Sequence, residues 1–295
     1  MIPPGVNEAS VILTVTAGVF GLLVGSFLNV VVYRVPNGMS VVSPPSTCPR
    51  CGSGIKPFDN IPVVSWLLLR GKCRNCATAI SVRYPLVELG TGVAFAVVVW
   101  GLVAGGVSTS STSGFGSTSE IGSTSGTVAG VLTVIAFLYL AAISIALAVI
   151  DLDVKRLPNA IVLPSYIVGA VLLGAAGLLG GDLDALLRAG IGLAVLGLAY
   201  LLMALAYPGG MGFGDVKLAG VLGLYLGFLG WGELIVGAFA AFVLGGLFSI
   251  GLLLTRKATR TSGIPFGPWM LAGAWVGIFF GGSLWSAYLS LLGVA

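Results

Sequence analysis

Long apolar runs separated by short polar joints dominate this chain. Crossing roughly 30 Å of hydrocarbon takes about 20 residues of helix. Eight runs approach or exceed that length: 10–33, 86–103, 127–150, 160–179, 186–207, 216–231, 234–254 and 269–292. The sixth is short and glycine-rich, so its ends are the hardest to fix. The pattern predicts an all-α polytopic membrane protein of about eight transmembrane helices. The first run has a signal peptide's position, but no Lys or Arg precedes it and Arg34 follows it. It therefore reads as a retained anchor whose N-terminus lies outside.

Charge tests the count. Starting from outside, the inner segments are 34–85, 151–159, 208–217 and 255–268, and they hold 13 of the 14 Lys and Arg; Arg188 alone falls at an outer end. A wrong number of spans would scatter these cations across both sides. Most of the basic residues are thus explained by topology. Both termini are expected outside, in a bacterial cytoplasmic membrane. Composition agrees: 57% of residues are hydrophobic and 8% charged, against roughly 25% charged in soluble domains. The 46 glycines suit closely packed membrane helices. The Ser/Thr/Gly segment 104–126 has nothing to build a core from and is expected to be a flexible external loop.

The chain has no histidine, which excludes imidazole-based hydrolases and His-ligated metal centres. Its four cysteines form two CxxC pairs, Cys48/Cys51 and Cys73/Cys76, with 21 residues between them. Two such turns can face each other and offer four thiolates to one tetrahedral ion, which suits structural Zn²⁺. Disulfides or redox use, and iron, are the competing readings; the reducing side expected for this loop disfavours disulfides. With four thiolates, no position on the metal remains for water or substrate. A loop tied to two membrane helices is also an unsuitable nucleic-acid reader.

Acidic residues are scarce, ten in all. IDLDVKRLPN closes the third run with Asp151 and Asp153, and GMGFGDVKLAG opens the sixth with Asp215. A solvated carboxylate at a helix end is ordinary. Asp151, however, adjoins the apolar span, and Asp215 follows two glycines that permit a tight turn. If the third and sixth spans pack together, the two carboxylates meet at one depth. They can then share a proton, activate water and protonate a leaving amide nitrogen. Asp153, two residues along a helix from Asp151, faces elsewhere, to solvent or Lys155. Glu88, set in an apolar helix, needs a partner or a proton; Arg83 and substrate are the candidates. Lys217 either orients Asp215 or anchors its helix at the interface.

The ordered motifs resemble one known family. They are GSFLNVVVYRVP, which opens at Gly25 and closes at Pro36, then CPRCG, DNIPVVSWLLLRGKCRNC, and ISVRYPLVEL, which opens at Ile80 and closes at Leu89. IDLDVKRLPN, GFGDVKLAG and IPFGPWM follow. Together they resemble the type IV prepilin leader peptidases, aspartic membrane proteases of the GxGD type that are often also N-methyltransferases. The resemblance implies Asp151 and Asp215 as the catalytic pair and Cys48, Cys51, Cys73 and Cys76 as zinc ligands. It also implies prepilins or pseudopilins of type IV pilus and protein secretion systems as substrates, cleaved at the cytoplasmic face after a basic leader. Methylation of the new N-terminal residue would use S-adenosyl-L-methionine. Some relatives carry a longer insertion before the first CxxC, where this chain has only residues 35–47.

The expected division is residues 1–85, the first span with the four-cysteine zinc-knuckle loop and the methyltransferase part, and 86–295, the remaining membrane helices with the peptidase core at 127–295. The resemblance, and not any nucleotide-binding fingerprint, carries the methyl transfer; its cofactor site is expected across 25–36 and 80–89, with Glu88 a candidate. Alternatives are a peptidase with a purely structural zinc loop, a GxGD protease acting on other membrane substrates, a transporter, or an assembly scaffold.

Overall fold

The computed structural model describes residues 8–104, 124–207, 211–255 and 265–294. Most of the expected 104–126 loop, residues 208–210, and the basic residues Arg256, Lys257 and Arg260 lie outside the described residues.

Within them the helices are α1 (Glu8–Arg34), α2 (Val64–Leu68), α3 (Arg83–Val99, continued by a π turn at Trp100–Ala104), α4 (Thr124–Val154), α5 (Asn159–Gly180), α6 (Leu183–Ala206), α7 (Phe213–Leu229), α8 (Trp231–Leu254) and α9 (Gly267–Leu291). Seven of these are long and apolar enough to cross a membrane. The chain is an all-α polytopic membrane protein. The stretch expected as the sixth span forms α7, which is not among those seven: it is only 17 residues long and begins three residues earlier than the apolar pattern suggests. Every residue from Leu218 to Leu229 on it is buried, so α7 is a central helix enclosed by its neighbours.

Small residues set the closeness of the helix pairs. The most extensive pairings are α6 with α7, α8 with α9, and α1 with α3. At the first, a Cβ on Gly223 would fall against the Gly192 carbonyl and 3.0 Å from the Leu193 amide nitrogen. Without a hydrophobic drive between helices in lipid, this close backbone packing is what holds them together. Gly223→Val should force α6 and α7 apart and destabilise the protein by about 1–3 kcal/mol, read as a lowered thermal midpoint in detergent. An unchanged midpoint would mean that the two helices meet less closely. At the α1–α3 pair, Gly25 lies against the backbone of Glu88.

Between α1 and α3 the chain forms a small loop structure. Buried Arg34 donates to the carbonyls of Ser40 (2.9 Å) and Pro44 (2.6 Å), folding residues 35–47 back on the end of α1.

Candidate active site

The first site forms where the ends of α4, α5, α7 and α9 converge. Helix α4 stops because Lys155 takes a left-handed conformation (φ 52°) and Pro158 follows. That leaves Asp151 in the last turn, 4% exposed. Its Oδ2 accepts the backbone N–H of Gly267, the first residue of α9, at 3.1 Å. Glycine is required there because a Cβ would come within 2.7 Å of that oxygen.

Asp215, half-buried in the first turn of α7, accepts the Gly212 amide on Oδ2 at 3.2 Å, so the carboxylate caps its own helix. Among the described residues, the Oδ1 atoms of Asp151 and Asp215 receive no hydrogen bond.

The two carboxylates border one side chain: Leu157 lies against Gly214, which precedes Asp215, and against Gly267, which bonds to Asp151. The helices that carry them meet through side chains and not through close backbone contact. Both α4 and α7 lie against α5 and α9, and the Phe137 ring of α4 meets Tyr225 of α7 edge-on at 5.5 Å. Leu157 fills the space between: a Cβ on Gly214 would sit 3.0 Å from its Cβ, and one on Gly267 3.4 Å from its Cδ2.

Several positions acquire roles that the motifs alone did not assign. Lys217 Nζ donates to Asn159 Oδ1 at 3.0 Å, and the Tyr166 hydroxyl donates to the Lys217 carbonyl at 2.6 Å. Lys217 therefore ties the first turn of α7 to the start of α5. Tyr200 of α6 is buried and packs on Phe242 and Phe266 with ring centroids 5.7 and 6.3 Å apart. No periodicity in the sequence marks Tyr200 or Asn159, since both act through tertiary neighbours.

Asp153 turns away from Asp151 as expected, and folding gives it a partner that its neighbours in sequence do not suggest. It pairs with Arg83, the first residue of α3, at 2.5 Å. Arg83 is thereby withdrawn from Glu88, for which it was a candidate partner. An exposed pair of this kind contributes roughly 0.2–1 kcal/mol, so Asp153→Asn should lower turnover by no more than about fivefold. Asp153→Arg should do more harm, and adding Arg83→Glu should restore activity. Inactive Asp153→Asn would instead make Asp153 the essential carboxylate of this motif.

The second site is the cysteine loop. Its halves repeat at a fixed offset: Thr47 bridges Gly54 and Lys72 bridges Ala79. The Cys48 amide donates to Ser53 O (2.9 Å) and the Cys73 amide to Thr78 O (2.8 Å). Each turn closes on a left-handed residue, Gly52 (φ 69°) and Ala77 (φ 55°). The four sulfurs lie within 4.8 Å of one another. A Zn–S distance of ~2.3 Å implies a tetrahedral edge of about 3.8 Å, and Cys48 Sγ and Cys76 Sγ are 3.8 Å apart. The geometry fits one metal ion. Hydrogen bonds from Thr78 hold the Cys76 thiol down to about 6, favouring the thiolate that a metal needs. Asp59, gripped by Arg74 through Nε at 2.9 and 3.0 Å, is held below the usual carboxylate range.

The segments 25–36 and 80–89 do come together: Asn29 Nδ2 donates to the Tyr84 carbonyl at 3.1 Å. Buried Glu88 accepts the Val63 amide on Oε2 at 2.7 Å. Val63 has φ 61° and ψ −50°, and the Val64 amide bonds back to Pro62 O at 2.5 Å. This is a γ-turn of the strained hand, at a β-branched residue that rarely adopts positive φ. Glu88 is the group that clamps it.

The fold and these groups define the class as far as a polytopic membrane protein with two aspartates at converging helix ends and a four-cysteine loop. Comparison with known proteins narrows it further. The sequence model of the bacterial peptidase A24 N-terminal domain matches residues 19–102, and that of the type IV leader peptidase family matches residues 138–250. Prepilin leader peptidase/N-methyltransferases of Aeromonas salmonicida and Pseudomonas aeruginosa are each 34% identical, over 92% of both chains. One from Myxococcus xanthus is 37% identical over 82% of this chain and 64% of its own length. No solved structure matches. The chain belongs to the prepilin leader peptidase/N-methyltransferase family.

Proposed function

We propose that this protein removes the basic leader of type IV prepilins or pseudopilins with Asp151 and Asp215, and then methylates the new N-terminal residue. The observation that carries the peptidase half is the placement of these two aspartates at the ends of α4 and α7, on either side of Leu157, in a chain of this family.

One carboxylate, ionised, takes a proton from water as the water oxygen bonds to the scissile carbonyl carbon. The other, protonated, gives its proton to the departing nitrogen as the C–N bond breaks. The backbone amides of Gly267 and Gly212 hold each Oδ2, and in this reading each Oδ1 does this work. Thirteen of 14 cations on one side of the spans support a site at the cytoplasmic face of the inner membrane, with both termini outside. The peptidase core is then 127–295, within 86–295.

In this reading Cys48, Cys51, Cys73 and Cys76 hold a structural Zn²⁺, which with four thiolates supplies no reactive position. Residues 1–85, seated on α3, serve methylation. S-adenosyl-L-methionine supplies the methyl group when bound. Glu88 acts there by holding the Val63 turn, so it is a positioning residue for segments 25–36 and 80–89.

The test uses the purified protein with a reconstituted prepilin, following leader removal and labelled methyl incorporation separately. Glu88→Gln should impair incorporation more than cleavage, and Asp215→Asn should leave methylation of a mature-length peptide intact. No leader removal by the unaltered protein would overturn the peptidase reading. Cleavage with no incorporation would reduce it to a peptidase with a structural zinc loop.

A further inference from the structure

We propose that α2 is an interfacial anchor, with the face made by Val64, Leu67 and Leu68 lying in the headgroup–acyl boundary of the membrane. The three residues fall at i, i+3 and i+4, one side of a helix, and are 48%, 60% and 77% exposed. The opposite side is satisfied by protein. Buried Ser65 accepts the Ile61 amide and donates to Phe58 O, and Trp66 Nε1 donates to Ile80 O at 3.2 Å. This small element thus turns its apolar side outward, the reverse of a helix packed on a soluble core.

Depth identifies what covers that face. The span Arg83–Val103 has 21 residues, about 31 Å of helix, which matches the hydrocarbon thickness. Glu88 is five residues along it, so about 7.5 Å from its start. The 2.7 Å bond from the Val63 amide to Glu88 fixes the start of α2 at that level. The segment is tied there by its backbone to α3, where Leu86 and Leu89, on either side of Glu88, are 62% and 48% exposed.

Charge agrees with an anionic surface. Arg70 and Lys72 follow α2 directly and are exposed. Lys56 lies over the exposed Phe58 ring, 5.6 Å from its centroid. Asp59, the one acid in this stretch, is engaged by Arg74. An apolar face rimmed by Lys and Arg binds lipid through both buried area and headgroup attraction.

The experiment uses the full chain in nanodiscs containing phosphatidylglycerol, with an environment-sensitive fluorescent amino acid at Leu68. Lipids carrying a nitroxide at the headgroup or mid-chain probe depth, and iodide probes water. Leu198, exposed on α6, is the lipid-facing reference. Leu68 should be quenched strongly by the headgroup nitroxide and little by iodide, and should shift to the blue. Strong iodide quenching would put the face in water. Quenching by neither would mean that protein, such as a second copy of the chain, covers it. Either result overturns the proposal.

Discussion

Asp151→Asn and Asp215→Asn are each expected to lose leader cleavage by at least about a hundredfold, and by as much as ~10⁴-fold, the range set by losing one general acid or base. An asparagine keeps the size of the side chain and can still accept the amide of Gly267 or Gly212 on its oxygen. It cannot carry the proton. The variants should therefore insert in the membrane, keep their metal content and bind prepilin while turning over almost none. Because the carboxylates act as a unit, the double variant should be scarcely worse than either single one. Measuring leader removal with purified protein at saturating prepilin decides the matter. Near-normal turnover by either variant would remove that residue from the reaction.

Stripping the cysteine loop of the proposed zinc should have the largest structural effect in the molecule. A tetrathiolate site contributes apparent binding energy of about 10–16 kcal/mol, and the loop's described secondary structure is four short pieces: a 3₁₀ turn, α2 and two isolated bridges. Without the ion the repeated turns at Cys48–Gly52 and Cys73–Ala77 have only their own hydrogen bonds. Cys73→Ser, or prolonged chelation, should expose residues 48–76 to rapid amide exchange and proteolysis. Methyl incorporation should fall far more than leader cleavage. Elemental analysis of the unaltered protein should give about one zinc per chain. Finding no metal, or Cys–Cys bridges in protein kept reduced from the start, would overturn the zinc assignment.

The spans were readable because lipid imposes a uniform demand: any helix facing it must be apolar for about 20 residues. That signal falters at α7, which barely faces lipid and is shaped by its neighbours. Its start at Phe213, inside the glycine-rich motif, is invisible to hydropathy. The cysteines and aspartates stood out because such side chains are rare in an apolar chain. Their partners did not. Nothing in the sequence places the Gly267 amide on Asp151 or Asn159 on Lys217, since these contacts join residues far apart in the chain. Arg83 is near Glu88 in sequence and so is a candidate partner beside substrate, whereas folding gives it Asp153 and gives Glu88 a backbone amide.

The brevity of α7 has a consequence for the bilayer. At 17 residues it is about 26 Å long, several ångströms short of ~30 Å of hydrocarbon. Because Leu218 to Leu229 are enclosed by neighbouring helices, lipid does not meet that shortfall; the surrounding helices do, and the bilayer beside this part of the protein adjusts to them and not to α7. A change in lipid thickness would therefore reach Asp215 only through those neighbours.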